Sequence, residues 1–177
     1  PLLRRALEVR ERLVRRYPHT PGERVNLAHV HNALAILANA RNDLAGSATA
    51  QEKALAIREE LTRDFPRQPT FRRTLAETCM NLGLAYAALH REAPACALTE
   101  RAVTMIQTLR AEFPSEPALT DLQATALTNL GLILTGVGRS AEASDRLDVA
   151  VALLEAAHGP EPAEPQCRLA LYRASGA

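Results

Sequence analysis

The chain has 177 residues, of which 47% are apolar and 3% aromatic, with no Trp and a formal net charge of +1. Length and composition fit one folded domain with a core of Leu, Ala, Val and Ile, and no apolar run reaches the roughly 20 residues that cross a bilayer. The near-neutral total conceals a basic start, seven Arg against three Glu in residues 1–24 (+4), and an acidic end, one Arg against six acids in residues 140–165 (−5).

Taken in chain order, residues 1–16 read as a helix. Its Arg4, Arg5, Arg10, Arg12, Arg15 and Arg16 spread around the axis, alternate with Glu8 and Glu11, and lack interleaved aromatics. That pattern describes a solvated helix and not a nucleic-acid surface. Tyr17-Pro18 ends it, and "TPGE" at 20–23 reads as a capping box, with Thr20 as cap, Pro21 at N1 and Glu23 at N3. A second helix follows over 22–40, and a third over 47–63 that stops at Phe65-Pro66. Proline disfavours helix at the residue before it and lacks the N–H that would continue the ladder.

The phrase "FPRQP" at 65–69 leads into a helix over 70–89 that carries "CMNLGLAY". The next helix, 94–111, opens through Ala93-Pro94. Its Ala95, Thr99, Ala102, Val103, Ile106, Leu109 and Phe113 recur at steps of three and four, one apolar stripe. "FPSEP" at 113–117 repeats the punctuation before a helix over 118–136 carrying "LTNLGLIL". A helix over 141–157 opens through Ser140 as N-cap, and a last one is expected over 165–174.

Sliding the sequence by 48 residues stacks Pro18, Pro66, Pro114 and Pro162 in one column and Pro21, Pro69, Pro117 and Pro165 in another. Tyr17, Phe65 and Phe113 align as well, and so do Ala6, Ala54, Ala102 and Ala150. A fixed period of this size marks an array in which each unit covers its neighbour's apolar face. The reading is a single repeat domain over 1–177: the second helix of a partial repeat (1–19), repeats at 20–67, 68–115 and 116–163, and the first helix of another (164–177). Both ends fall inside a repeat, so the chain reads as a piece of a longer array.

Leu82-Gly83, Tyr86, Ala95 and Ala102 fall at the spacing of the tetratricopeptide-repeat signature, which the sequence resembles. Leu130-Gly131, Ala143, Leu147 and Ala150 repeat it, and Leu34-Ala35 and Ala54 do so more weakly. Cys79, Leu127 and His31 fill the signature's Trp slot, and the period exceeds the usual length of roughly 34. In this it is similar to the long repeats of kinesin light chains and of arrays attached to bacterial serine/threonine kinases. The resemblance implies an all-α fold, a right-handed superhelical α-solenoid of antiparallel helix pairs, with a non-enzymatic role in protein binding.

On the helix of 70–89, Glu77, Met80, Asn81, Leu84 and Ala88 share the side opposite the Leu-Gly pair. Leu84 is one period from both Ile36 and Leu132, so an apolar strip is expected along the inner curve. It serves either as an interaction surface or as packing against the neighbouring helix pair. Asn81 and Asn129 precede Leu-Gly, and a side-chain amide offers both donor and acceptor to an extended peptide. In the resembled family Asn at this slot commonly holds such a peptide. The first repeat has Ala33 there, with Asn32 and Asn39 nearby. Thr128 and Thr135 make the third repeat's face mildly polar. Glu77, Thr125 and His29 occupy the slot where relatives that grip acidic tails carry basic residues, which argues against that ligand.

The odd count of cysteines, Cys79, Cys96 and Cys167, has no ligand-like spacing and points to reduced thiols and a cytoplasmic setting. His31 sits at a core slot. Gly131 and Gly136 have phosphate-loop spacing, but Val137-Gly138 follows where a nucleotide site needs Lys and Ser/Thr. No cofactor, metal, nucleic-acid or membrane partner is expected. The leading expectation is a scaffold or recruiting arm of a larger, kinase-linked regulatory protein. The rival is a spacer or self-assembling array that stacks head to tail through its oppositely charged ends.

Overall fold

The computed structural model describes residues 2–158; the helix expected over 165–174, Pro162, Pro165 and Cys167 lie outside them. Seven helices follow in order: α1 Leu2–Arg16, α2 Pro21–Ala40, α3 Leu44–Asp64, α4 Pro69–Ala88, α5 Glu92–Glu112, α6 Pro117–Gly136 and α7 Ser140–His158. No strand occurs among the described residues. The chain divides into two compact units, Pro1–Leu89 and His90–Ala177. In the first unit α1 packs on α2, α2 on α3 and α3 on α4; in the second α5 packs on α6 and α6 on α7. Within each unit, consecutive helices joined by turns of three or four residues and packed on one another run antiparallel, which gives an all-α repeat fold of helix pairs.

The aromatic-proline phrase is a β-turn. The carbonyl of Tyr17 accepts from the N–H of Thr20 at 3.1 Å, that of Phe65 from Gln68 at 3.0 Å and that of Phe113 from Glu116 at 3.2 Å. Proline at the second turn position pre-sets its backbone angle, and the second proline opens the next helix where its missing N–H is not needed. Thr20 is indeed the N-cap of α2, yet its side chain makes no cap bond. Glu23 turns instead to Arg10 on α1, 3.1 Å away, since the Thr20 N–H that a capping box would use is already given to the Tyr17 carbonyl. Phe113, expected in the apolar stripe, is 38% exposed, since the chain leaves the helix there at φ −129° and ψ 65°.

The turns at the other end of each pair share a left-handed residue: Asn42 (φ 58°), His90 (φ 56°) and Gly138 (φ 78°), spaced by the repeat period. Just beyond it, the N–H of Asp43 reaches the Ala38 carbonyl at 2.9 Å and that of Arg139 the Leu134 carbonyl at 2.9 Å, which closes each helix C-terminus. Asp43 then caps α3 by accepting from the Gly46 N–H at 2.8 Å, so this helix begins three residues before its expected start. Ser140 is the first residue of α7 and not its cap; Arg139 before it forks onto Glu142 at 2.7 and 2.6 Å.

Each core is built of small residues at helix crossings and Leu between them. In the first unit Ala35, Ala54, Ala76 and Leu82 are fully buried; in the second Ala102, Ile106, Leu127, Leu130 and Leu147 are. Each Leu so placed contributes about 1.5–3 kcal/mol relative to exposure. Several polar residues in the core are bonded within or between helices. Thr99 Oγ1 donates to the Ala95 carbonyl at 2.9 Å, and Arg58 spans from α3 to α4, donating to the Thr74 carbonyl at 2.9 Å and to Thr78 Oγ1.

Candidate functional site

The expected recognition residues stand on α2, α4 and α6, the first helix of each pair. On α4, positions 77, 80, 81, 84 and 88 share a side because three or four residues make one helical turn. Asn81 is exposed, its amide has no partner among the described residues, and Leu84, one turn on, is 37% exposed. Glu77 is half-buried and pairs with Arg73 at 3.1 Å, one turn back on the same helix. Met80 is only 5% exposed, so its thioether belongs to the core and not to the open face.

On α2, Ile36 is 62% exposed and Asn39 is exposed. Asn32 is half-buried and already engaged, its Oδ1 accepting from Gln51 Nε2 on α3 at 3.2 Å. On α6, Asn129, Leu132 and Thr135 are half-buried and Thr128 is buried. The threonine face is less polar than expected. Thr128 Oγ1 donates to the Ala124 carbonyl and Thr135 Oγ1 to the Gly131 carbonyl, each at 2.9 Å, so the hydroxyls are folded back onto their own helix. What remains open is an aliphatic side chain on α2 and α4, Ile36 and Leu84, with a neighbouring exposed amide on each, while on α6 Leu132 and Asn129 are half-buried. This chemistry can hold a backbone by hydrogen bonds and an apolar side chain by contact.

His31 lies within the first unit and is 5% exposed. Burial lowers its pKa, the Lys53 ammonium lowers it further, and the Glu11 carboxylate opposes both, so the ring is held neutral. It borders a cleft of about 760 Å³ whose walls include Leu3, Leu7, Leu34 and Leu37 and whose rim carries Arg4, Arg41 and Lys53. Cys79 and Cys96 are buried thiols, and burial pushes the Cys96 thiol up, away from thiolate chemistry. Among the described residues no three His, Cys, Asp or Glu come together as metal ligands.

A second cleft, of about 630 Å³, lies within the second unit among α5, α6 and α7. Sequence reasoning passed over it. Its signal was available in the 48-residue register: Thr120 stands where earlier periods have Arg24 and Arg72, and Gln123 where they have Leu27 and Leu75.

A tetratricopeptide-repeat family profile matches residues 27–66 and 123–164. Among solved structures, the chain is similar to BtubC (BKLC) from P. vanneervenii, with a TM-score of 0.64 at 19% identity over 98% of this chain and 70% of that one. At this identity the likeness speaks for the fold. No curated protein sequence matches the chain. No described helix is long and apolar enough to cross a membrane.

Proposed function

We propose, on the premise that this chain carries tetratricopeptide repeats, that it is a non-catalytic, cytoplasmic interaction module that holds an extended peptide or a partner's helix on the open side of the first helices within a unit. Repeats of this kind generally mediate protein–protein interaction. The observation that carries the reading is on α4: an exposed amide without a partner, Asn81, one turn before an exposed Leu84. An amide left to solvent on a helix is unremarkable alone, but beside an aliphatic side chain that stays out of the core it supplies both halves of peptide recognition. Asn129 and Leu132 are a half-buried counterpart on α6, and Ile36 with Asn39 a variant on α2. In this reading Asn32, Met80 and Thr128 support the face from beneath, and Glu77 and Thr135 form its polar border. A larger regulatory protein would use such a module to recruit what it acts on.

A peptide-library pull-down with the wild type and with Asn81→Ala/Asn129→Ala tests this. Peptides retained by the wild type should be lost by the variant. Equal retention by both removes this face from the account.

A second reading, head-to-tail association of copies, has its own observation: Leu2 is 83% and Val9 38% exposed on the strongly basic α1. Sedimentation at low and high salt decides it, since an electrostatically guided stack weakens as salt rises. A single monomer under both conditions removes it.

A further inference from the structure

One position of the 48-residue register changes size along the chain: Tyr86 on α4 and Leu134 on α6, but Ala38 on α2. Tyr86 and Leu134 are 8% and 1% exposed, so each closes the packing at its place. The Tyr86 hydroxyl donates to Glu52 Oε1 on α3 at 2.7 Å. One period earlier, where α1 packs on α2 as α3 packs on α4, Arg4 stands in the place of Glu52. Both members of the pair differ in the first repeat: a methyl group replaces the phenol and a guanidinium replaces the carboxylate. Ala38 and Arg4 both line the cleft of about 760 Å³ among α1, α2 and α3. Its Leu7 and Leu34 match Leu55 and Leu82 of the next repeat. Leu37 and His31, larger than their counterparts Ala85 and Cys79, line the cleft without closing it. The volume lies within the range of about 300–1,000 Å³ usual for ligand sites.

The Tyr86–Glu52 pair serves as a template for what the cleft lacks. An alanine in the place of an aromatic ring leaves space that the surrounding helices recover only in part. Cavities walled by aliphatic side chains take up small aromatic molecules. The template sets the direction as well, from position 38 on α2 toward position 4 on α1. Charge then sets the head group. Glu52 accepts, so the phenol donates to it; Arg4 has donors only, so the group that meets it must accept. A planar carboxylate matches the guanidinium fork with two charge-assisted hydrogen bonds. Arg41 and Lys53 at the rim are exposed and add positive charge, and the Asp43 carboxylate already accepts from the Gly46 N–H. A cationic ligand is repelled there, and a neutral phenol finds no carboxylate in the place of Glu52.

We infer that this cleft binds a small aromatic carboxylate, its ring against Ala38, Leu7 and Leu34 and its carboxylate on the Arg4 guanidinium. His31, Leu34 and Ala38 share one side of α2, while Ile36 lies on the opposite side. The site therefore stands or falls independently of peptide recognition by the open face.

The test is a titration of the 177-residue protein, ¹³C-labelled at its Ala and Leu methyl groups, with 4-methylbenzoate. This molecule is the tyrosine side chain with a carboxylate in place of its hydroxyl. The expected result is a saturable shift at the Ala38 and Leu34 methyls with a Kd of about 1 mM or tighter, unchanged in Ile36→Ala. The phenol, 4-methylphenol, should bind at least about tenfold more weakly. In Arg4→Glu, which restores the charge of the template, the order of the two ligands should reverse. Ala38→Tyr places the missing ring in the cleft and should abolish the Leu34 shift; should that variant not fold, Ala38→Leu, the third repeat's residue, reads the same effect. No saturable shift in the wild type, undiminished binding by a folded Ala38 variant, or an unchanged ligand order in Arg4→Glu overturns the inference.

Discussion

Gly131 on α6 and Leu147 on α7 are in direct contact: a methyl group at residue 131 would stand 2.6 Å from Leu147 Cγ and 2.7 Å from one Cδ. Leu147 is fully buried and has nowhere to move. The glycine of the Leu-Gly pair is therefore a packing requirement, which lets the helix axes approach. Gly131→Ala gains about 1 kcal/mol of helix propensity but overpacks the crossing by about 1–3 kcal/mol. The expected net loss appears as a lower urea midpoint, and it should shrink in the Leu147→Ala background, where the clash is gone.

Arg58 is a buried cation held by the Thr74 carbonyl and Thr78 Oγ1, and burial lowers its pKa. One period later the same slot holds Ile106, fully buried. Arg58→Ile should thus be neutral or stabilising, since a well-packed aliphatic group avoids desolvating a charge. Arg58→Ala should cost about 2–4 kcal/mol, because it removes the packed stem and leaves a void. Thermal melts of the two variants separate these outcomes.

His90 adopts φ 56°, the left-handed conformation, where the next repeat has Gly138. An L side chain there is strained, and His90→Gly relieves the strain at the expense of a more flexible unfolded chain. The expected balance is a gain of about 0.5–1 kcal/mol. A melting temperature below wild type would contradict it.

Asp43 caps α3 with its side chain, whereas Thr20 holds the equivalent place before α2 with no side-chain bond. Asp43→Ala should cost about 1 kcal/mol and Thr20→Ala a small fraction of that. Chemical denaturation of both variants reads the difference.

The buried His31 has a pKa below the ordinary 6.5, with burial as the main cause. The unfolded chain then takes up a proton more readily than the folded one. Stability is fully present above pH 6.5 and falls as pH drops below it, until the folded ring also protonates. His31→Leu, which copies Leu127 of the third repeat, should flatten the dependence between pH 7 and 5 relative to wild type. An unchanged slope would exclude His31 as its source.

The helix pairs were legible because proline and the aromatic before it are local stop signals: every expected helix among the described residues is present, and the starts differ by no more than three residues. The inward sides of α4 and α6 were equally legible from spacing, down to Cys79, Leu82 and Gly83. The Asp43 cap was missed because the expected start at 47 placed it in a loop. Met80 and Thr128 were misjudged as open because angular position on a helix gives direction and not depth. The Gln123 cleft escaped notice because each of its residues is ordinary alone. Only side-by-side comparison of matching positions reveals a leucine exchanged for a glutamine.

Within each unit, the packing partners follow one another along the chain. A gene encoding such a protein can therefore gain or lose a 48-residue block by recombination, and both sides of the cut still meet the surface they evolved against. The number of helix pairs becomes a quantity that duplication can adjust, while single exchanges such as Arg24 to Thr120 give one copy a chemistry of its own.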